Sequence, residues 1–179
     1  MRVIGQNASD VIQFFKTQNI DVSVLSGDRP AIVNAIAKQL GAISATAKAL
    51  PRAKEAQVTL LQDEGHIIAM VGDGINDAPA LKRADIGIAI GKGNPISILC
   101  ADIILQRPDL TLIQTCFLLS VKTNQLLKEN YWLTIIFMLL LLFCAALGKL
   151  TAMIIIMALS LNILLLMANI FRLRVTQTE

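Results

Sequence analysis

The sequence predicts an α/β fold, a parallel sheet with flanking helices, followed by a two-helix transmembrane hairpin. Three observations predict it. Short apolar runs alternate with helix-patterned stretches up to about Gln125, which is the signature of a parallel sheet. Two stretches nearly free of charge, Trp132 to Gly148 and Leu150 to Phe171, close the chain, and at roughly 17 to 22 residues each is long enough to cross hydrocarbon. Between these regimes, the run Ile67-Ile68-Ala69-Met70-Val71 opens into a glycine-containing loop that carries Asp73 and Asp77 at i and i+4.

The elements follow in order. Asn7 or Ser9 is placed to cap a helix reaching about Gln18, with Val11, Ile12, Phe14 and Phe15 as its apolar face. Ile20-Asp21-Val22-Ser23-Val24-Leu25 reads as a strand that ends in Ser26-Gly27-Asp28-Arg29. Pro30 then opens a helix that Gly41 terminates. A loop through Leu50-Pro51-Arg52 leads to a helix from about Ala53 to Glu64, and the Ile67 to Val71 strand comes next. Pro79 to Arg83 predicts a short helix, Asp85 to Ile90 a strand, Gly91-Lys92-Gly93-Asn94-Pro95 a turn, and Asp102 to Leu105 the last strand. From Leu110 one helix is expected to run through Lys128 into the first span. No internal repeat or low-complexity segment interrupts this order. The boundaries so drawn are 1–109 for the sheet region, 110–131 for a connecting helix, 132–171 for the hairpin and 172–179 for a tail.

Composition agrees with a membrane-anchored chain. Of 179 residues, 55% are hydrophobic and 16% charged, and the mean hydropathy of +0.63 is too apolar for an ordinary soluble domain. A buried helical hairpin is the competing reading, but so small a chain has too little sequence left to cover two such helices. Lys122 and Lys128 precede the first span, Arg172 and Arg174 follow the second, and Lys149 alone lies between, so both termini and the globular part are expected in the cytoplasm, on a plasma or inner membrane. These flanks largely account for the net charge of +3, which gives no support to nucleic-acid binding. Cys100, Cys116 and Cys144 are odd in number and none belongs to a C-x-x-C pair, as expected of reduced thiols packed in a core or between helices. His66, the only histidine, reads as a surface turn residue.

The chemistry-bearing stretch is Gly72-Asp73-Gly74-Ile75-Asn76-Asp77-Ala78-Pro79. The strand before it delivers Asp73 to the carboxyl end of the sheet, where α/β folds bind ligands. Mg²⁺ prefers carboxylate oxygens shared with water and phosphate, so Asp73 is the best metal-ligand candidate, and neither His nor Cys is needed. Gly72 and Gly74 let the backbone turn and approach a phosphate. Taken singly, an Asp-Gly pair is a turn, Ser26 a turn hydroxyl and Lys54 a solvated helix-start lysine. Read together, they form a set.

Three segments in order, Ser26-Gly27-Asp28, Pro51-Arg52-Ala53-Lys54 and the Asp73 to Pro79 loop, resemble the T/S-G-D, P-x-x-K and G-D-G-x-N-D-x-P elements of the haloacid-dehalogenase-like phosphorylation domain of P-type ATPases. The longer Met70-to-Leu81 form, with Ala84-Asp85-Ile86-Gly87-Ile88-Ala89, Ala101-Asp102-Ile103-Ile104-Leu105 and the final Asn169-Ile170-Phe171-Arg172-Leu173, resembles the heavy-metal branch of that family. The resemblance covers about Asn7 to Arg174 and implies a partial haloacid-dehalogenase-like, Rossmann-like sheet ahead of the last two membrane helices of a pump. By resemblance, Ser26 would bond a phosphoryl oxygen, Lys54 would neutralise its charge and Asp73 would hold Mg²⁺. Gly27 and Asp28 would lie near ATP, and Gly72, Gly74, Asn76 and Asp77 would complete the loop.

The chain departs from the family in one decisive respect. P-type ATPases form an aspartyl-phosphate on the Asp of a D-K-T-G-T strand end, and no Asp-Lys-Thr occurs in this sequence. The chain therefore looks like a C-terminal portion of a pump, carrying the Mg²⁺- and phosphate-contacting half of the site and expected to be inactive alone. Loss of the central strand that bears the nucleophile is expected to leave two sheet edges exposed and the soluble part marginally stable. The Cys-containing motif that heavy-metal pumps resemble each other in, on the helix before these spans, is absent from the sequence, the first span lacks the Tyr-Asn pair, and only Met157 and Ser160 match the M-x-x-S-S pattern. Those two and Asn162 are the candidate transport-path residues for a metal cation, with packing the equal alternative for Asn162. Two other functions fit the residues: a non-catalytic membrane module that partners an intact or split pump, and a membrane-tethered phosphatase with an unrecognised nucleophile.

Overall fold

The computed structural model describes residues 7–73, 75–91, 95–148 and 151–175, with the side chains of Ser97 and of 172–175 excepted. Gly74, the turn residues Lys92, Gly93 and Asn94, and Lys149 lie outside the described residues, as do the side chains of Arg172 and Arg174. The chain divides into two compact units, Met1–Gln114 and Thr115–Glu179.

In the first unit, helix α1 (Ala8–Thr17) leads to β1 (Ser23–Leu25), α2 (Pro30–Leu40), β2 (Ser44–Thr46), α3 (Pro51–Asp63) and β3 (Ala69–Gly72). A 3₁₀ turn at Ile75–Asp77, α4 (Ala78–Arg83), β4 (Ile86–Ile90), α5 (Pro95–Cys100) and β5 (Ile103–Leu105) complete it. Asn7 stands at the N-cap of α1, but its side chain makes no capping bond. Pro30 and Pro51 occupy the first turns of α2 and α3, where a missing N–H costs nothing. Gly41 ends α2 in the left-handed conformation at φ 69° that glycine adopts without strain.

All strand pairs are parallel, but they form two sheets. One is β1–β2, paired from Ser23↔Ser44 to Leu25↔Thr46. The other is β3–β4–β5, paired from Ala69↔Ile86 to Gly72↔Ala89 and from Ile88↔Ile103 to Ile90↔Leu105. Among the described residues β1 pairs only with β2, and β3 only with β4, so each sheet keeps an edge without a strand. The core is built on Val58, Met70, Ala80 and Leu81, with Leu25, Ile68, Ala84 and Cys100 packed against it. Leu25 of the first sheet thus meets Met70 of the second through one apolar cluster.

Two elements were not anticipated from the sequence. Ser44-Ala45-Thr46 is short and polar, without the alternation that marks a half-buried strand, and it is held by its ladder and by a Ser23–Ser44 hydroxyl contact of 2.7 Å. The stretch from Pro95, expected to finish a turn, begins the six-residue α5. Gly87 is required by packing: a Cβ there would sit 2.6 Å from the Leu81 carbonyl oxygen, so only glycine lets α4 lie this close to β4.

The second unit holds most of α6 (Thr111–Ala146) and all of α7 (Ala152–Val175). Both are long and apolar enough to cross a membrane. Exposed Leu, Ile, Met and Phe cover their surfaces, as expected of helices whose solvent is lipid. Asn169 Nδ2 donates to Asn130 Oδ1 at 2.7 Å and ties the two helices together.

Candidate functional site

The site lies at the carboxyl ends of β1 and β3. After β1 the chain turns sharply: Ser26 N–H bonds the Thr46 carbonyl, the Ser26 carbonyl accepts from Ala49 N–H, and the Asp28 carbonyl accepts from Lys48 N–H, each at 3.0 Å. Within this turn Ser26 Oγ donates to Asp28 Oδ2 at 3.0 Å and accepts from Asp28 N–H at 3.2 Å, a serine turn that holds both side chains at the loop tip. Gly27 is exposed beside them, and a Cβ there would meet only the Ala49 carbonyl at 3.7 Å.

Ala49 leads directly into Leu50, the N-cap of α3, and one turn inside that helix stands Lys54. Lys54 Nζ reaches Asp77 Oδ1 at 2.6 Å, and the two side chains are only 11% and 12% exposed. Asp77 ends the 3₁₀ turn and is the N-cap residue of α4. Gly72, the last residue of β3, lies against it: a Cβ on Gly72 would stand 2.7 Å from Asp77 Cβ. The turn after β3 can therefore fold back over the strand end only because position 72 has no side chain. Asp73 and Asn76 are exposed on this loop.

The sequence-predicted residues thus fall into two groups. Ser26, Gly27 and Asp28 form one, and Gly72, Asp77 and Lys54 the other, with Asp73 and Asn76 on the loop between Gly72 and Asp77. The short Ala49–Leu50 link joins them, and no direct bond between the groups is present among the described residues. A lysine ammonium has three donors, so Lys54 can hold Asp77 and still donate to an anion.

In the membrane unit Met157 and Ser160 lie within about 60° of each other around α7, whereas Asn162 stands about 140° from the first and about 160° from the second, so it falls on another face. Met157 is exposed, Ser160 Oγ donates to its own helix at the Ile156 carbonyl (2.9 Å), and Asn162 is buried with Oδ1 lacking a partner among the described residues.

Sequence reasoning gave no role to the far end of the sheet. Asp85 Oδ2 accepts from Ile68 N–H at 2.8 Å and from Gln62 Nε2 at 3.0 Å, and these bonds hold its carboxyl below the ordinary aspartate value. Asp102 Oδ2 accepts from Gly87 N–H at 2.8 Å. The repeated Ala-Asp-Ile at 84–86 and 101–103 is the signal that points to both.

Comparison with known proteins bears on this geometry. The haloacid dehalogenase-like hydrolase family matches residues 6–85. A copper-exporting P-type ATPase of Staphylococcus aureus (strain MRSA252) is 44% identical over 130 residues, which are 72% of this chain and 16% of that protein. A zinc-transporting PIB-type ATPase in its E2.Pi state superposes with a TM-score of 0.88 at 32% identity, covering 94% of this chain and 28% of the other. This chain belongs with the heavy-metal P-type ATPases. It spans less than a fifth of the length of its copper-exporting relatives and somewhat over a quarter of the zinc transporter. A solved catalytic domain of a CPx-ATPase agrees with a TM-score of 0.57 at 34% identity, with 61% of this chain matched to 44% of that one. The haloacid-dehalogenase-like sheet, its flanking helices and the two apolar helices are thus the corresponding part of a P-type ATPase, and the chain is a membrane protein.

Proposed function

We propose that this chain is part of an ATP-driven heavy-metal cation pump and supplies the Mg²⁺- and phosphate-contacting half of its phosphorylation site. The observation that carries the reading is the 2.6 Å Lys54–Asp77 pair, which brings the start of α3 to the loop that presents Asp73. In this reading the Lys54 ammonium and the Ser26 hydroxyl donate to phosphoryl oxygens, and Asp73 holds Mg²⁺. Gly72, Gly74 and Asn76 shape the loop, Asp77 fixes Lys54, and Gly27 and Asp28 face the nucleotide. The donor set fits the ion: Mg²⁺ takes one or two carboxylates and fills its shell from water and phosphate, and Asp73 stands exposed at a strand end. When bound, the ion neutralises charge on the transferred phosphate.

The carboxylate nucleophile then comes from a segment outside this sequence, which has no Asp-Lys-Thr. Two features support a place for it between β1 and β3. Each strand has an unpaired edge among the described residues, and Leu25 and Met70 share one cluster. A doubly wound sheet ordered β2–β1–X–β3–β4–β5 has its switch point at X, where ligands bind. The cargo is a heavy-metal cation, and the lysines before the first span favour cytoplasmic termini on a plasma or inner membrane.

The test is complementation. Co-expression with a segment carrying the D-K-T-G-T strand and a nucleotide-binding domain is expected to yield ATP-dependent phosphoenzyme on that segment, and Asp73→Asn or Lys54→Ala should lower it by about a hundredfold. Phosphorylation of this chain alone, or none in a folded complex, would overturn the reading.

A further inference from the structure

The end of the second sheet remote from the site carries a bond set that the proposed function does not use. Asp85 precedes β4 and lies opposite Ile68, one step before the Ala69↔Ile86 pair. Its carboxylate takes the Ile68 N–H, while Ile86 N–H donates to the Ile68 carbonyl at 3.1 Å. Asp102 does the same for the next strand pair: it lies opposite Gly87, takes the Gly87 N–H at 2.8 Å and returns its own N–H to the Gly87 carbonyl at 2.8 Å. In both places a side-chain carboxylate fixes the register of two parallel strands just before their ladder begins.

The two clamps differ in what else they hold. Asp85 is also bonded to Gln62 on α3, whose Nε2 reaches the Arg83 carbonyl at 3.2 Å as well, and Arg83 Nε donates to Thr59 Oγ1 of the same helix at 3.0 Å. Gln62 Oε1 is buried without a partner among the described residues, so the orientation of this amide is set by its donors alone. Helix α3 is thus fastened at its far end to β3 and β4 through Asp85, and at its near end to the site through Lys54, about 12 Å away along the helix. Asp102 touches neither α3 nor β3 through its carboxylate.

We infer that Asp85 and Gln62 are positioning residues, which set the axial placement of α3 against β3 and thereby hold Lys54 on Asp77 beside Asp73. A slip of one residue in β3 would carry Asp73 about 3.3 Å along the strand and reverse its face. The inference takes its site from the proposed function, but its test needs neither ATP nor Mg²⁺, so the two readings fail separately.

The experiment measures the rate of reductive methylation of Lys54 in the full chain in detergent, by peptide mass spectrometry, relative to exposed Lys38. Asp85→Ala and Gln62→Leu are expected to raise the Lys54 rate by about tenfold, since each loses bonds to a charged or buried partner. Asp85→Asn, which keeps an oxygen for the Ile68 N–H, should stay within about twofold of the parent. Asp102→Ala should lower the melting temperature and leave Lys54 protected. An unchanged Lys54 rate in folded Asp85→Ala and Gln62→Leu, or an equal rise in Asp102→Ala, would overturn the inference. Gln62→Leu keeps the Asp85–Ile68 clamp and carries the test if Asp85→Ala does not fold.

Discussion

The two sheets of the first unit are made to different standards. In β3–β4–β5 the middle strand buries Gly87, Ile88 and Ala89, α3 and α4 cover it through Val58, Ala80 and Leu81, and two carboxylates pin its register. In β1–β2 no strand residue is fully buried, and α1 and α2 contribute Val11, Ile12, Val33 and Ala37 to the packing. The pair has three residues per strand and one unclaimed edge on β1. The difference teaches that one half of a unit can be held rigid by buried strand residues and carboxylate bonds while the other relies on its helices. Of the candidate residues, Lys54, Asp77 and Asp73 lie in the first half, and Ser26 and Asp28 in the second.

The sharpest way to break the comparison is through the cores. Leu81 is 1% exposed at the centre of the second sheet's cluster, so Leu81→Ala should cost about 3 kcal/mol, combining lost transfer energy with a residual cavity. Val33, equally buried, packs on the weaker side, and Val33→Ala should cost about 1.5 kcal/mol. Thermal unfolding followed in detergent measures both. Equal losses would mean that the two halves share one cooperative core.

Next in size is the ion pair. With both side chains about one-tenth exposed, removing one partner leaves a largely desolvated charge, and Lys54→Met should cost about 2 kcal/mol. The double variant Lys54→Met/Asp77→Leu should recover part of that loss, because it removes both charges together. A double-mutant cycle on melting separates the pair from its packing. A coupling near zero would return Lys54 to the status of a surface lysine.

Much of this was legible in the sequence, for reasons that can be located. Pro30, Gly41 and Pro51 punctuate helices through backbone chemistry that acts locally, and Val71-Gly72-Asp73 announces a strand end for the same reason. Exposed sheet edges were expected, because no Asp-Lys-Thr occurs in this sequence, but a division into two sheets was not, and neither was β2: Ser44-Ala45-Thr46 owes its state to the ladder with β1, a partner about twenty residues away that leaves no periodic trace. Resemblance and the order of motifs offered Ser26, Lys54 and Asp73 as candidates, but the pairing of Lys54 with Asp77 depends on how α3 lies against α4. Asp85 stood in plain view as an Ala-Asp-Ile repeat, and its tie to Gln62 appears only once both elements are folded.

Glycines sharpen the comparison at slightly smaller cost. Gly87→Ala would push a methyl group into the Leu81 carbonyl oxygen at 2.6 Å, a backbone atom that cannot swing aside, so a loss of about 1–2 kcal/mol is expected. Gly27→Ala meets only ordinary contact with the Ala49 carbonyl at 3.7 Å and should change melting by less than about 0.5 kcal/mol. If both were tolerated, α4 would have room to move off β4, and the rigidity assigned to that half would be wrong.

The smallest effect is acid sensitivity, and its sign follows from Asp85. The Ile68 N–H, and after it the Gln62 amide, favour the ionised form and lower this carboxyl from 3.8 in the folded state. Asp109, at the entry to α6, is lowered likewise by the Thr111 hydroxyl and backbone N–H. A depressed folded value means that the unfolded chain binds the proton more readily, so the stabilisation is fully present above the unfolded value and is lost as pH falls through the folded one. The window therefore opens below about pH 4. Asp85 is exposed and Asp109 only partly buried, so the effect should be modest and weakened by salt. Melting between pH 5 and pH 3 should fall less steeply in Asp85→Asn than in the parent, because the neutral amide has no proton to take up. An unchanged slope would show that the register clamp at the foot of β3 works through shape alone, and that the firmer of the two sheets gains nothing from the charge that stands at its base.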